Sequence, residues 1–166
     1  MKNASRISLI LSLLLCAACG YYGTSGRTAG DIKRIAIPYL ENDTAEPEIE
    51  IEITQRIIDG LVKDNTLKVT SEEDADAVLE GRIIEYSNVP FTFSNELQAE
   101  QYRLLVGLRV SLLNKKENTY IWQDKNIKKY ANYYLETTTE QTYEKALEDI
   151  YRDIVEEILG STVQEW

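Results

Sequence analysis

Histidine is absent from this sequence, and its only two cysteines, Cys16 and Cys19, lie within the first twenty residues. The rest of the chain therefore lacks the side chains that form most zinc sites, cysteine nucleophiles and histidine general bases. It cannot form an internal disulfide either. Only carboxylate or lysine chemistry stays open to an enzyme, and we expect no metal site and no cofactor in the folded chain.

Positive charge is also scarce, because 18 Lys and Arg residues stand against 28 Asp and Glu residues, for a net charge of -10. Removal of residues 1–18 takes away Lys2 and Arg6 and no acid, which brings the net charge to -12. An acidic body of this kind repels the phosphate backbone of nucleic acids. We therefore predict no nucleic-acid partner.

The one long apolar run, residues 7–15, follows a short basic segment at the N-terminus. It is too short for a membrane-spanning helix, which needs roughly 20 apolar residues, and it predicts a signal peptide over residues 1–18. The segment Leu15-Cys16-Ala17-Ala18-Cys19 resembles the lipobox of bacterial lipoproteins, except that Cys16 stands where leucine is usual. The alternative is an ordinary signal peptide with cysteines by chance.

The lipobox resemblance implies that the mature chain begins at Cys19 and carries covalent acyl chains there. Three such chains suffice for stable anchoring in a membrane. Gly20 follows, rather than the aspartate that resembles an inner-membrane retention signal, so we expect a lipid-anchored protein at the periplasmic face of the outer membrane. Glycines punctuate residues 19–30, which predicts a flexible tether of about 18 Å before a single domain at 31–166.

Periodicity within the domain predicts strands and two helices. Apolar residues at helical spacing indicate a helix from about Pro47 to a stop at Asn65, and a second helix from Tyr143 to Gly160 with a capping box at Thr138 and Gln141. Strands are expected at 32–39, 67–69, 77–86, 102–113 and 119–130. A hairpin turn at 115–118 joins the last two strands, and 88–93 is expected to be an apolar loop.

This order of elements predicts an α+β fold, a two-layer sandwich with two helices packed on one face of a mixed four- to five-stranded sheet. The second sheet face then lacks a helical cover. Alternation along the strands places Arg103, Trp122, Lys128 and Tyr130 on that face, with Arg109 opposite Asp124. Cationic and aromatic groups together suit an acylated, phosphate-bearing glycan or a wet protein wall. The alternative is a solvated face whose rings support cross-strand pairs.

Further segments resemble a known family in order along the chain. They are Gly20-Tyr21-Tyr22, Ile32-Lys33-Arg34-Ile35-Ala36-Ile37-Pro38-Tyr39, Glu41-Asn42-Asp43-Thr44, Asp64-Asn65-Thr66-Leu67-Lys68-Val69, Ala75-Asp76-Ala77-Val78-Leu79-Glu80-Gly81 and Tyr86-Ser87-Asn88. Together with Cys19 they resemble the LptE family of lipopolysaccharide-assembly lipoproteins.

The resemblance implies a role without enzyme activity. LptE-like proteins plug the lumen of the outer-membrane β-barrel LptD, help that barrel fold and assist delivery of lipopolysaccharide to the outer leaflet. Family members are also thought to bind lipopolysaccharide through basic side chains. Lys115, Lys116, Arg103, Lys128 and Lys129 are the basic residues that we expect to contact lipopolysaccharide, and Phe91, Phe93, Trp122 and Tyr130 are those that we expect to contact the barrel.

Two other functions stay open from the residues alone. The chain could be a periplasmic adaptor lipoprotein of another envelope machine, such as a secretion channel or a cell-wall-synthase activator. It could also be a carboxylate-based hydrolase, but the glutamates at 46–52 stand at a helix start, where acids are favoured by the helix dipole alone.

Overall fold

The computed structural model describes residues 32–96, 98–135 and 140–164, and these form a mixed sheet with two helices. The elements in chain order are β1 (Arg34–Ala36), β2 (Glu41–Asn42), α1 (Ile49–Asp64), β3 (Lys68–Val69), β4 (Ala77–Phe93), β5 (Ala99–Asn114), β6 (Thr119–Tyr134) and α2 (Tyr143–Gln164). The predicted α+β class is confirmed, with six strands rather than four to five.

Three long antiparallel strands, β4, β5 and β6, make up most of the sheet. The short strands join it in parallel at one end, in the order β3-β1-β4-β5-β6, with β2 also beside β4. The sheet therefore has a parallel end, near β1, and a distal end, where the hairpin between β4 and β5 projects.

The core lies between one sheet face and both helices. Alternate residues of β5 are fully buried against the helices, as the sequence pattern predicts. The largest fully buried side chains are Ile35, Ile53, Ile57, Leu61, Leu79, Ile83, Leu104, Leu108, Leu112, Ile127, Ile150 and Ile154.

Helix α1 begins later than predicted, because Glu48 adopts a left-handed conformation with φ of 63° and Pro47 stays outside the helix. Its predicted stop is confirmed. Asn65 has φ of 57° and donates its backbone N–H to the carbonyl of Leu61 at 3.0 Å. Asparagine tolerates this left-handed conformation better than most residues do.

Helix α2 begins at Tyr143, where Thr142 Oγ1 accepts the backbone N–H of Lys145 at 3.3 Å. The predicted cap, Thr138, lies outside the described residues. The prediction that Gly160 ends the helix is wrong, because the helix runs on to Gln164 and buries Ser161 and Thr162. Gly160 keeps a negative φ, so it does not act as a left-handed stop.

Two further expectations are wrong. The first strand covers only 34–36 of the predicted 32–39, and the expected loop at 88–93 belongs to β4. This segment pairs with β5 as far as Phe93, opposite Ala99. Its exposed apolar residues break the alternation expected of a half-buried strand, which is why the sequence indicates a loop.

The predicted pairing of Arg109 with Asp124 is also wrong, because Arg109 lies opposite Asn126. Asp124 has φ of 52° and sits where the register of β5 and β6 shifts. An extra residue in one strand changes the pairing and the face of every residue beyond it. None of the helices in the described part of the chain is long and apolar enough to cross a membrane.

Candidate functional site on the open sheet face

The open face is the side of the sheet opposite the helices. Strand β5 contributes Arg103, Leu105, Gly107, Arg109 and Ser111 to it, because the residues between them point into the core. Strands β4 and β6 add the residues that lie directly across from these five.

Arg103 forms the centre of a cluster near the distal end of the open face. Its guanidinium carbon lies 3.6 Å from the centroid of the Phe91 ring and 4.7 Å from that of the Tyr130 ring. Its Nε donates a hydrogen bond to Asn132 Oδ1 at 3.0 Å. We call Phe91, Arg103, Tyr130 and Asn132 the Arg103 cluster. Three adjacent strands thus hold one guanidinium group by stacking and by a hydrogen bond.

Arg103 has no carboxylate partner among the described residues, although the chain is strongly acidic. Four other arginines do have such partners, namely Arg34, Arg56, Arg82 and Arg152. A guanidinium group presents its donors in a planar fork that suits carboxylate or phosphate oxygens. The terminal nitrogens of Arg103 are therefore available to an anionic group from another molecule.

Exposed apolar side chains surround this cation. Phe91 is 43% exposed and Tyr130 is 62% exposed, and Val89 lies directly opposite Arg103 on β4. Val89 and Phe93 are also about half exposed. The distal part of the open face therefore combines an uncompensated positive charge with apolar surface, which suits a ligand that has both an anionic and an apolar part.

Lys128 also lies on the open face, but its charge is paired. Its Nζ lies 2.6 Å from Glu85 Oε2, and the two side chains meet across Gly107. A Cβ at Gly107 would lie 3.0 Å from the Cβ of Glu85, so the glycine leaves room for this ion pair. Glu85 therefore competes with any anionic ligand for Lys128.

Lys129 and Trp122 belong to the helix side of the sheet. Lys129 Nζ bonds Glu157 of α2 at 2.7 Å, and the Trp122 side chain packs against the core. The prediction that Trp122 shares a face with Arg103 is wrong, because the irregularity near Asp124 places Trp122 opposite the buried Leu112. Its Nε1 is buried without a hydrogen-bond partner in the part of the chain that the structure describes.

Lys115 and Lys116 lie at the opposite end of the sheet from the Arg103 cluster. Lys115 Nζ contacts the backbone carbonyl of Glu72, and Lys116 Nζ lies 4.0 Å from Asp76 Oδ1. At about 3.3 Å per residue along β5, roughly 40 Å separates these lysines from Arg103. The five basic residues that the sequence indicates therefore do not form one site.

A second polar region of the open face contains two arginines in directly opposite positions, Arg82 and Arg109. Arg82 bonds Glu41 at 2.6 Å and Asp43 at 3.2 Å, which offsets the repulsion between the two cations. The groove beside them has a volume of about 470 Å³ and includes Tyr120 in its lining. Sequence alternation places Arg109 on this face but gives no sign of its pairing with Arg82.

The chain matches the family model described as lipopolysaccharide-assembly, LptE, over residues 32–160. The chain belongs to the LptE family. The family resemblance drawn from the sequence is thereby confirmed, and it covers the residues that carry the Arg103 cluster.

Solved structures share the LptE-like fold at low sequence identity. A hypothetical protein from Chlamydia trachomatis is 12% identical with a TM-score of 0.57, over 80% of this chain and 99% of that one. Uncharacterized lipoprotein B from Nitrosomonas europaea is 16% identical with a TM-score of 0.56, over 77% and 80%. The PelC dodecamer from Paraburkholderia phytofirmans is 12% identical with a TM-score of 0.53, over 78% of this chain and 87% of that one. No curated protein matches the sequence.

The LptE-type segment at 75–81 contains a polar contact that sequence reasoning missed. Asp76 accepts the backbone N–H groups of Lys33 and Arg34 at 3.2 and 3.0 Å, and its other oxygen bonds Arg34 Nη2 at 3.1 Å. The hydrogen bonds from Arg34 and Lys33 lower the pKa of Asp76 to about 2. Asp76 therefore connects β1 to the start of β4 through hydrogen bonds.

Cys19 lies outside the described residues, so its lipidation stays a prediction. Within residues 32–96, 98–135 and 140–164, no group of three or more His, Cys, Asp or Glu residues could hold a metal ion.

Proposed function

We propose that this LptE family member plugs an LptD-type β-barrel in the outer membrane, helps that barrel assemble, and contacts lipopolysaccharide through the Arg103 cluster. The observation that carries the lipopolysaccharide contact is the unpaired guanidinium of Arg103, held between two exposed rings on an otherwise acidic protein. The family match supports the wider role in lipopolysaccharide assembly.

The chemistry of the Arg103 cluster fits one part of lipopolysaccharide in particular, its phosphate groups. Stacking on Phe91 and Tyr130 restricts the guanidinium before any ligand arrives, which lowers the entropy cost of binding. The terminal N–H groups then form two parallel hydrogen bonds to phosphate oxygens. Val89, which lies directly opposite Arg103 and is about half exposed, offers apolar surface beside it for acyl chains.

The surface of the domain suits a plug. Lumen walls of outer-membrane barrels are polar and hydrated. Charged side chains cover the helix surface, where Lys145 and Arg152 both bond Asp149, at 3.1 and 2.8 Å. Such a surface forms wet contacts with a polar wall and leaves the exposed rings Phe91, Phe93 and Tyr130 as apolar contact points. Trp122 is partly buried against the core, so it offers less surface for such a contact.

The N-terminal segment supplies the location. Acyl chains on Cys19 hold the protein at the periplasmic face of the outer membrane, and the tether at 19–30 lets the domain reach the barrel. Neither step requires a cofactor or catalysis, in keeping with the non-enzymatic character of the family.

Binding of purified lipopolysaccharide to the purified chain tests this contact. We expect Arg103→Gln to weaken binding about tenfold or more, because a hydrogen bond to a charged group contributes about 1.5–3 kcal/mol. Arg103→Lys keeps the charge but loses the planar fork, so its affinity should fall between that of the original chain and that of Arg103→Gln. Arg152→Gln on the helix surface is the matched control, since it changes the net charge equally.

Equal weakening by Arg103→Gln and Arg152→Gln would mean that only net charge matters, and unchanged affinity in Arg103→Gln would remove the cluster from the mechanism. Substitution of both Lys115 and Lys116 by glutamate separately tests the turn between β5 and β6. Weaker binding in that variant alone would indicate that lipopolysaccharide binds at the parallel end of the sheet and not at the Arg103 cluster.

A further inference from the structure

The outer edge of β4 is only partly covered. β1 pairs with Ala77 and Val78, and β2 pairs with Arg82 and Ile83. Beyond this point, residues 85–93 pair with β5 alone. Among the described residues, no other backbone group bonds this segment. We call the free side of 85–93 the β4 edge.

The β4 edge differs from the other long edge of the sheet, that of β6. Strand β6 carries Lys125, Lys128 and Lys129, and charged side chains of this kind keep edge strands from pairing with other chains. No charged residue stands between Tyr86 and Phe93, while Pro90 removes one backbone donor and the pairing with β5 becomes irregular from Pro90 to Phe93. The sequence protects β6 from strand addition and leaves the β4 edge open to it.

We propose that the β4 edge binds an extended, uncharged segment of another polypeptide as an added strand. Free N–H and C=O groups alternate along such an edge, and another extended backbone forms hydrogen bonds with them in series. This inference rests on the proposed function in one respect, since it takes the partner to be the barrel polypeptide.

Other occupants of the edge fit less well. The segment at 19–30 joins the domain near β1, and Ser87 lies ten residues beyond the pairing of Ile35 with Ala77. The tether spans about 40 Å when fully extended, and about 33 Å of this is needed to reach Ser87, which leaves too few residues to pair along 85–93. A second copy of the chain has the same charge of -12 after removal of residues 1–18, so two copies repel each other.

Hydrogen–deuterium exchange of the full chain tests this inference, both isolated and in the complex extracted from outer membranes. In the isolated chain, amides of 85–93 that do not bond to β5 should exchange fast. In the complex we expect them to exchange roughly a hundredfold more slowly. Amides that bond to β5 should be slow in both samples, and those on the outer side of β6 should not change.

Each outcome has a distinct meaning. Equal exchange of the β4 edge in both samples overturns the inference, as does protection that rises with the concentration of the isolated chain, which indicates a second copy. If the complex contains a barrel but the β4 edge exchanges as fast as in the isolated chain, strand addition is contradicted and the proposed plug function is unaffected. Protection in a complex without a barrel supports strand addition and contradicts the plug.

A charged variant gives an independent check. Ser87→Lys places a charge in the uncharged part of the β4 edge and should abolish the added protection. Gln123→Lys, at an exposed position of β6 beside Asp124, is the matched control and should leave that protection unchanged. Both variants should melt at the same temperature as the original chain. Full protection in Ser87→Lys would contradict strand addition at this edge.

Discussion

Cys19 is the residue on which the predicted location depends. We expect Cys19→Ser to lose its acyl chains and with them its stable anchor in the outer membrane, because serine cannot carry a thioether-linked lipid. Membrane fractionation and mass spectrometry of the intact chain measure both changes. Cys16→Ser is the matched control and should stay anchored. A Cys19→Ser protein that stayed anchored with unchanged acylation would refute the prediction that Cys19 is the acylated residue of a lipobox.

Asp76 connects the strands that meet at the parallel end of the sheet. Its carboxylate bonds β1, its backbone N–H donates to the carbonyl of Arg34 at 3.0 Å, and its carbonyl accepts the N–H of Lys115 at 2.9 Å. β1, β4 and the hairpin between β5 and β6 therefore meet at one side chain and its own peptide groups.

The lowered pKa of Asp76 predicts how stability depends on pH. Its folded pKa of about 2 lies below the unfolded value of about 3.9, so its contribution is present above pH 4 and is lost as the pH falls through 2. We expect Asp76→Asn to destabilise the protein at pH 7 and to differ less from the original chain as the pH approaches 2. Urea unfolding at several pH values measures this difference. A constant difference across this range would mean that the charge of Asp76 is not what stabilises the sheet.

At the level of elements, the two helices are in close contact at Gly60 and Val155. A Cβ built on Gly60 would lie 2.2 Å from Val155 Cγ1. We expect Gly60→Ala to destabilise the domain by about 1–3 kcal/mol, because the added methyl forces the helices apart. Urea unfolding measures the change.

Two variants test the cause of that change. Val155→Ala removes the clashing methyl groups, so the double variant should recover part of the loss. Gly160→Ala is the matched control, because nothing lies within 4 Å of its Cβ, and it should stabilise the helix by about 0.5–1 kcal/mol. Equal effects of the two alanine substitutions would contradict close helix packing at Gly60.

The elements with strong periodicity could be predicted from the sequence. α1, α2 and β5 have buried residues at regular spacing, and Asn65 marks a helix end. The distal part of β4 could not be predicted, because its apolar residues are exposed and its partner strand is not local. The face of Trp122 depends on the irregularity at Asp124, which no local pattern shows.

The candidate site was predictable in the same uneven way. Sequence reasoning placed Arg103 and Tyr130 on one sheet face and Phe91 in a loop, and the register of three strands brings all three together. It also named lysines whose charges are paired by Glu85 and Glu157, acids far away in the sequence. Composition shows which charges exist, whereas long-range pairing decides which of them stay free.

At the scale of the whole molecule, the two ends of the sheet differ in character. The parallel end contains a network of ion pairs, including those of Arg34 with Asp76 and Arg82 with Glu41. The distal end carries the Arg103 cluster and exposed apolar side chains. An ion-paired parallel end and an amphipathic distal end fit the proposal that the protein occupies a barrel and contacts lipopolysaccharide.

The central claim is that this chain occupies an outer-membrane barrel, and its purification from detergent-solubilised membranes tests that claim most directly. The tagged, full-length chain is captured and the mass of the intact complex is measured. We expect one copy of the chain with one copy of a large β-barrel protein of the LptD type. Recovery with a ring-forming secretion channel or a cell-wall synthase, and without such a barrel, would contradict the claim.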